Sequence, residues 1–198
     1  MTKLHLGCGK RYMPGWINID LMLQDNIVDV LPKGEWACYD ISKINSIYEK
    51  NSIDEIYICH CLEHLERQVG DHRYENIHKF LQKCYQILKP GGILRISIPD
   101  FCAISALYQT GTTLYDLFGL LYGGAKSELD FHTCCFDYLT MKTLAYDVGF
   151  INIEKYNPVD FLSSIGMATG LPQGGGMDDY SLAKINDTYI SLNVLLYK

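Results

Sequence analysis

The chain has no uninterrupted apolar run of transmembrane length and no N-terminal signal pattern, since Lys3, His5 and two glycines arrive too early. A soluble, cytoplasmic protein with no membrane partner is expected. There is no block of Lys or Arg, and the formal charge is −6, so no global positive field draws the chain to nucleic acid. There is no C-x-x-C, although eight cysteines are present, at positions 8, 38, 59, 61, 84, 102, 134 and 135. Most sit in apolar segments, where a reduced cysteine behaves as a small buried hydrophobe. Neither a disulfide framework nor a metal site is expected from them. What the chain does have is 198 residues, 48% of them hydrophobic, which is enough for one sizeable core and makes a single domain the default.

The first informative stretch is Lys3-Leu4-His5-Leu6-Gly7-Cys8-Gly9, an apolar run that breaks into a Gly-Cys-Gly turn. It reads as the first strand of a parallel sheet followed by a loop that approaches a nucleoside, because two glycines permit φ > 0 and leave no Cβ in a ligand's way. A plain turn after a buried strand fits the same residues. Trp16-Ile-Asn-Ile-Asp20-Leu21 reads as a second strand with a carboxylate at its end, placed to accept hydrogen bonds from two ribose hydroxyls. Residues 10–15, with Pro14-Gly15, are too few for a helix between these strands, so no helix dipole points at the ligand. Residues 21–40 are irregular, with Val28–Leu31 and Trp36–Tyr39 as short extended pieces. Asp40 and Ile41 follow the second piece. Asp40 suits an exocyclic amine and Ile41 a purine ring, while Asp40 also reads as the N-cap of a helical turn over Ile44–Tyr48.

Ile53–Cys59 is a further strand candidate, and it ends in His60-Cys61-Leu62-Glu63-His64-Leu65. His60 and His64 are spaced as in H-E-x-x-H zinc motifs, but Glu63 stands in the wrong place for that chemistry, and lining a site at the strand end is the preferred role. Asn76 to Leu88 has one apolar helical face, Lys89–Gly92 ends it, and Ile93–Ile98 is a buried strand leading to Pro99-Asp100. The order strand, strand, strand, helix, strand argues a three-layer α/β sheet whose ligands bind at the carboxyl ends of the strands. Gly7, Asp20, Asp40, His60 and Asp100 fall at such ends. Residues 101–130 form an aromatic helical insert, Asp137 to Val148 a helix closed by Gly149, and Phe150–Tyr156 and Tyr189–Tyr197 the last two strands. A loop from Ser163 to Asp187, with Gly174–Gly176 at its centre, reads as a lid or binding segment.

Taken together, Leu4–Gly9, Gly15–Asp20, Ile56–Leu65 and Leu88–Asp100 resemble class I S-adenosylmethionine-dependent methyltransferases, and specifically the small bacterial and phage methyltransferase-11-like group. Leu120–Gly124, His132 with Phe136-Asp137, Val148–Phe150 and Ile190–Val194 extend the resemblance over nearly the whole chain. It implies a three-layer Rossmann-like methyltransferase sandwich, with a seven-stranded, mainly parallel sheet whose last strand is antiparallel. The implied cofactor is S-adenosyl-L-methionine. Its methionine part would lie over Gly7-Cys8-Gly9, its ribose at Asp20 beside Leu21, its adenine at Asp40 and Ile41, and its methyl donor near His60.

A sulfonium methyl is already electrophilic, so the protein has to hold an acceptor in line and take its proton. His132 is the first candidate base and His60 the second, followed by His64, Glu63 and Asp100. Glu63 and His64 also read as braces of the turn after the fourth strand, and His132 as a backbone contact before a helix. No Asn/Asp-Pro-Pro-Tyr run is present, which argues against amino methylation of DNA. The expected reaction is methyl transfer to oxygen or nitrogen of a small molecule or glycan precursor. The alternatives are a non-catalytic S-adenosylmethionine-binding protein and an aminopropyl transferase. An NAD-dependent oxidoreductase would need a third glycine and a helix directly after the loop, and the chain offers neither.

Overall fold

The opening apolar run forms β1 (Lys3–Leu6), and a second short strand, β2 (Ile17–Asp20), lies parallel to it. In the computed structural model the chain continues through β3 (Trp36–Cys38), a 3-10 turn (Ile41–Ser46), β4 (Ile53–Cys59) and a second 3-10 turn (Leu62–His64). Then come α1 (Glu75–Ile87), β5 (Leu88–Pro99), α2 (Phe101–Gln109), α3 (Leu114–Tyr122) and α4 (Tyr138–Val148). The chain ends with β6 (Asn152–Lys155), α5 (Pro158–Ser164), the short pair β7 (Lys184–Ile185) and β8 (Thr188–Tyr189), and β9 (Ser191–Tyr197). The structure describes residues 1–21, 34–66, 74–167 and 180–198.

The seven long-range strands pair in the order β3-β2-β1-β4-β5-β9-β6, and β9 runs antiparallel to both of its neighbours. This is the seven-stranded sheet with an antiparallel last strand that the sequence implies. Several boundaries differ. The penultimate strand is Asn152–Lys155 rather than Phe150–Tyr156, because Phe150 turns into the core and Ile151 is left exposed. The last strand begins at Ser191, since Thr188 and Tyr189 pair with Lys184 and Ile185 instead. Ser163 and Ser164 end α5, whose start carries two readable signals: Asn157 accepts a hydrogen bond from the Val159 amide, and Pro158 occupies the first turn. The extended piece expected at Val28–Leu31 and the glycines at 174–176 lie outside the described residues.

Parallel registration puts side chains of equal parity on one face. Leu4, Ile56 and Leu94 are aligned, as are Leu6, Ile58 and Ile96, and β9 adds Val194 and Leu196. All are fully or almost fully buried, under α1, the 41–46 turn and α4. Each such aliphatic side chain contributes about 1.5–3 kcal/mol on burial. α1 meets this face with Ile77, Phe80, Leu81, Cys84 and Ile87, at the helical spacing that the sequence shows. α4 is held by Asp137, which accepts from the Thr140 amide, and by Gly149 at φ 112°.

The opposite face is polar and aromatic. His5 aligns with Tyr57, and Tyr57 with Arg95. Phe161 and Trp16 cover them, with Arg95 stacked 3.9 Å from the Phe161 ring centroid. Residues 10–15 form turns, and a buried Asn18 replaces the missing helix as their organiser. Its amide nitrogen donates to the carbonyls of Met13, Trp16 and Glu35, while its side-chain oxygen accepts from the Met13 amide. The eight cysteines are free thiols, of which Cys38, Cys102 and Cys135 are exposed rather than packed in apolar segments.

Candidate active site

Five strand ends open on one side of the sheet, and a cavity of ≈ 410 Å³ lies there. Gly7, Asp20, Leu21, Asp40, Ile41 and His60 line it, so six of the eight residues expected at the cofactor are brought together. Gly7 stands at φ 64°, and a Cβ there would fall 2.4 Å from Cys61 Sγ, so no other residue fits this passage beneath the cavity. The Gly9 amide donates to Asp20 Oδ2 at 2.8 Å, which ties the loop to the end of β2 and points the Asp20 carboxylate into the cavity mouth. Asp40 is an N-cap and also lines the cavity. Its Oδ1 accepts from the Ser42 amide, and hydrogen bonding from the Ser42 side chain, with that amide, holds its carboxyl below the usual carboxylate range.

Cys8 and Gly9 are not lining residues. The Cys8 side chain is buried, its amide donates to Ile19, and burial pushes its thiol up to about 12, so it shapes the loop from behind. Asp100 does not reach the cavity either. It caps α2 by accepting from the Cys102 amide, and it lines a separate cleft with Tyr156, Asn157 and Asn193.

The second wall is built by the turn after β4. His60 ends the strand with φ 47°, a left-handed conformation that a non-glycine residue adopts only under constraint from its surroundings. Its Nε2 lies 2.8 Å from Ser191 Oγ, and Ser191 in turn donates to the Tyr180 carbonyl at 2.7 Å. His64 also lines the cavity, with Nδ1 2.9 Å from the Phe131 carbonyl. Between them Glu63 turns inward and is fully buried. Its backbone carbonyl accepts from the Thr133 amide and hydroxyl, both at 2.9 Å, and so fastens residues 131–136 across the turn.

This strip carries His132 to the site. The His132 ring is not among the cavity-lining residues: it stands behind Glu63, with Nδ1 2.9 Å from the Leu120 carbonyl and Nε2 3.8 Å from Glu63 Oε1. Gly123 makes room for it, since a Cβ there would lie 3.1 Å from the His132 ring. Burial lowers the His132 pKa, and burial raises that of Glu63 to about 8. Ser42, Cys61, Leu65 and Leu129 complete the lining without having been expected there. Ser42 and Cys61 are neighbours in sequence of residues that were, whereas Leu129 carries no signal of its own.

Residues 4–96 match the family model described as a methyltransferase domain. No curated protein matches the chain in sequence. Among solved structures, the fold is shared with a SAM-dependent methyltransferase from Archaeoglobus fulgidus, at 16% identity and a TM-score of 0.56 over 100% of this chain and 86% of that one. An S-adenosylmethionine-dependent methyltransferase from Mesorhizobium loti matches at 17% identity and a TM-score of 0.56, over 100% of this chain and 90% of the other. Phosphoethanolamine N-methyltransferase 2 of Haemonchus contortus, in complex with S-adenosyl-L-methionine, matches 83% of this chain with 36% of its own, at 20% identity and a TM-score of 0.51. At these identities the likeness is one of fold. The family match runs through β1 to β4, whose ends place the glycine turn, Asp20, Asp40 and Ile41 at the cavity. Sequence and fold thus meet at one cavity: residues 4–96 match a methyltransferase domain, and the whole chain shares the fold of S-adenosylmethionine-dependent methyltransferases.

Proposed function

We propose that this methyltransferase acts on an oxygen or nitrogen atom of a small molecule or glycan precursor, with the acceptor entering against the His60–His64 wall. The observation that carries this reading is that His60 and Asp20 line the same cavity from opposite sides. Asp20, beside Leu21, takes the ribose hydroxyls of the cofactor, Asp40 and Ile41 take the adenine, and the Gly7-Cys8-Gly9 turn accommodates the methionine part. Bound S-adenosylmethionine supplies an electrophilic sulfonium methyl, so the protein's task is alignment and proton removal.

His60 and His64 are the imidazoles that line the cavity, and His60 takes or relays the acceptor's proton through Nδ1 while Nε2 is held by Ser191. His132 acts from behind as a positioning residue, through Glu63. The formal charge of −6 and the aromatic α2–α3 segment favour an uncharged or weakly charged organic acceptor over a nucleic acid. Among the described residues no helix is long and apolar enough to cross a membrane.

Calorimetric titration with S-adenosylmethionine and with its demethylated product, in wild type and in His60→Ala, separates binding from turnover. Cofactor affinity within about threefold of wild type, with at least a hundredfold loss of methyl transfer to hydroxyl and amine acceptors, is the expected result in the variant. Unchanged transfer in His60→Ala overturns the assignment of His60.

A further inference from the structure

The Glu63 carboxylate is the least satisfied polar group of the site. It is 0% exposed, and among the described residues neither of its oxygens has a hydrogen-bond partner. A charged carboxylate in that position costs several kcal/mol unless a positive charge meets it, on the order of what burial of any unpaired ion costs. The groups around it are imidazoles and the thiols of Cys61 and Cys134. Glu63 Oε1 lies 3.6 Å from His60 Nδ1 and 3.8 Å from His132 Nε2, both beyond hydrogen-bond reach. One donor atom from each of Glu63, His64 and His132 falls within 4.8 Å of the other two.

The second nitrogen of each ring decides what the first presents. A carbonyl oxygen only accepts, so the Leu120 carbonyl fixes the proton of neutral His132 on Nδ1 and leaves the lone pair on Nε2, facing Glu63. The Phe131 carbonyl fixes the proton of neutral His64 on Nδ1 in the same way. Ser191 spends its hydroxyl proton on Tyr180 and therefore accepts from His60 Nε2, so the lone pair of neutral His60 is on Nδ1, the atom nearest Glu63. Imidazole lone pairs thus converge on a buried carboxylate, an electron-rich cluster that a cation resolves. Rings oriented by backbone carbonyls through the opposite nitrogen are the usual support of metal-ligating histidines.

We propose that Glu63, His64 and His132 bind a divalent first-row transition cation in the wall of the cofactor cavity, with His60 at its edge. Two imidazoles and a carboxylate select zinc, manganese, iron, cobalt or nickel over calcium and magnesium, which prefer all-oxygen sites. The separations need to close by less than about 1.5 Å to reach the roughly 3–3.5 Å between ligand atoms that metal bonds of about 2.0–2.2 Å imply. This site is distinct from the H-E-x-x-H arrangement, because its third ligand comes from the 131–136 strip and not from one helix face.

Resting on the proposed transfer reaction, the role of the cation is to hold a hydroxyl acceptor at the His64 side of the cavity and ease loss of its proton to His60. The acceptor oxygen then forms the new bond to the methyl carbon as the carbon–sulfur bond breaks, and the sulfur leaves as a neutral thioether.

The experiment is titration of chelator-treated protein with cobalt(II) and zinc(II), followed by calorimetry and by the visible spectrum of the cobalt form, in wild type, Glu63→Gln and His64→Asn. S-adenosylmethionine is titrated into the same samples to show that each is folded. One equivalent is expected in wild type, with cobalt d–d bands and no thiolate charge-transfer band. Affinity is expected to fall at least a hundredfold in Glu63→Gln and at least tenfold in His64→Asn, with cofactor affinity in Glu63→Gln within threefold of wild type. Absence of a tight equivalent, a thiolate band, or equal affinity in both variants overturns the site. Metal binding without cofactor binding would instead overturn the methyltransferase role and leave the site standing.

Discussion

Two glutamates lie buried near opposite ends of β4, and the fold treats them in opposite ways. Glu55, 8% exposed, is enclosed by cations: Arg95 donates to its Oε1 from Nε and Nη2, and Lys3 lies 3.2 Å from its Oε2. Those cations are themselves backed by aromatic rings, Arg95 by Phe161 and Tyr156 and Lys3 by Trp16. Glu63, beyond the carboxyl end of the same strand, is 0% exposed and has no hydrogen bond at either oxygen among the described residues. The first is a closed network that locks β1, β4 and β5 together under the sheet. The second is a carboxyl that burial keeps protonated, standing behind the wall of the cavity. A buried carboxyl left without hydrogen bonds is an exception that calls for a role, and by this contrast the two ends of β4 divide structure from the proposed chemistry.

The largest test of this contrast is Glu55→Ala. It leaves Arg95 and Lys3 partly buried without a counter-ion, and urea unfolding should show a loss of about 3–5 kcal/mol. A loss below about 1 kcal/mol would mean that the Glu55 network is no better satisfied than Glu63, and the contrast fails. Next comes Asp20→Ala, at a carboxylate that is hydrogen-bonded to its own loop and faces the cavity. Cofactor affinity should drop about a hundredfold, or about 2.8 kcal/mol, by calorimetry, while cobalt binding at Glu63 stays unchanged. Loss of both together would merge the two walls into one site. Glu63→Gln should behave opposite to Glu55→Ala. In chelator-treated protein it removes the cost of keeping a buried carboxyl protonated at neutral pH, where the unfolded chain would ionise it, and should raise stability by about 1–2 kcal/mol in the same urea assay. A decrease would show that the carboxylate is already satisfied within the fold.

The cavity wall formed by Gly7, Asp20, Asp40 and Ile41 was legible in the sequence because each of its parts is local. A strand that ends in Gly-x-Gly, a strand that ends in Asp, and an Asp-Ile pair before a helical turn announce themselves within a few residues, and the sheet then gathers their ends. The helices α1 and α4 were legible for the same reason, through one apolar face in the first and an Asp cap and Gly stop in the second. The Glu63 cluster was not. His132 reaches Glu63 because Thr133 bonds the Glu63 backbone carbonyl across 70 positions, and no side-chain pattern encodes a carbonyl's choice of partner. The sequence points to His132 as a candidate base, and the structure stands its ring behind Glu63, outside the lining of the cavity.

The smallest expected effect lies at the far end of the strip that carries His132, where Asp137 caps α4. Its Oδ1 accepts from the Thr140 amide at 2.7 Å, and that backbone bond holds the Asp137 carboxyl below its usual value. A carboxyl lowered on folding adds stability that is present above its unfolded pKa, about 3.9, and is lost as pH falls through the lower folded value. Asp137→Ala should therefore cost about 1 kcal/mol at neutral pH, as the loss of an N-cap does, and the wild-type advantage should fade below about pH 4. Urea midpoints at pH 7 and pH 3 measure both arms. Because Thr133 and the Leu120 carbonyl fasten His132 independently of the helix cap, cobalt affinity in Asp137→Ala should stay within twofold of wild type. A larger drop would mean that the strip is positioned from α4 and not from Glu63, so that the cluster at the carboxyl end of β4 depends on a surface carboxylate after all.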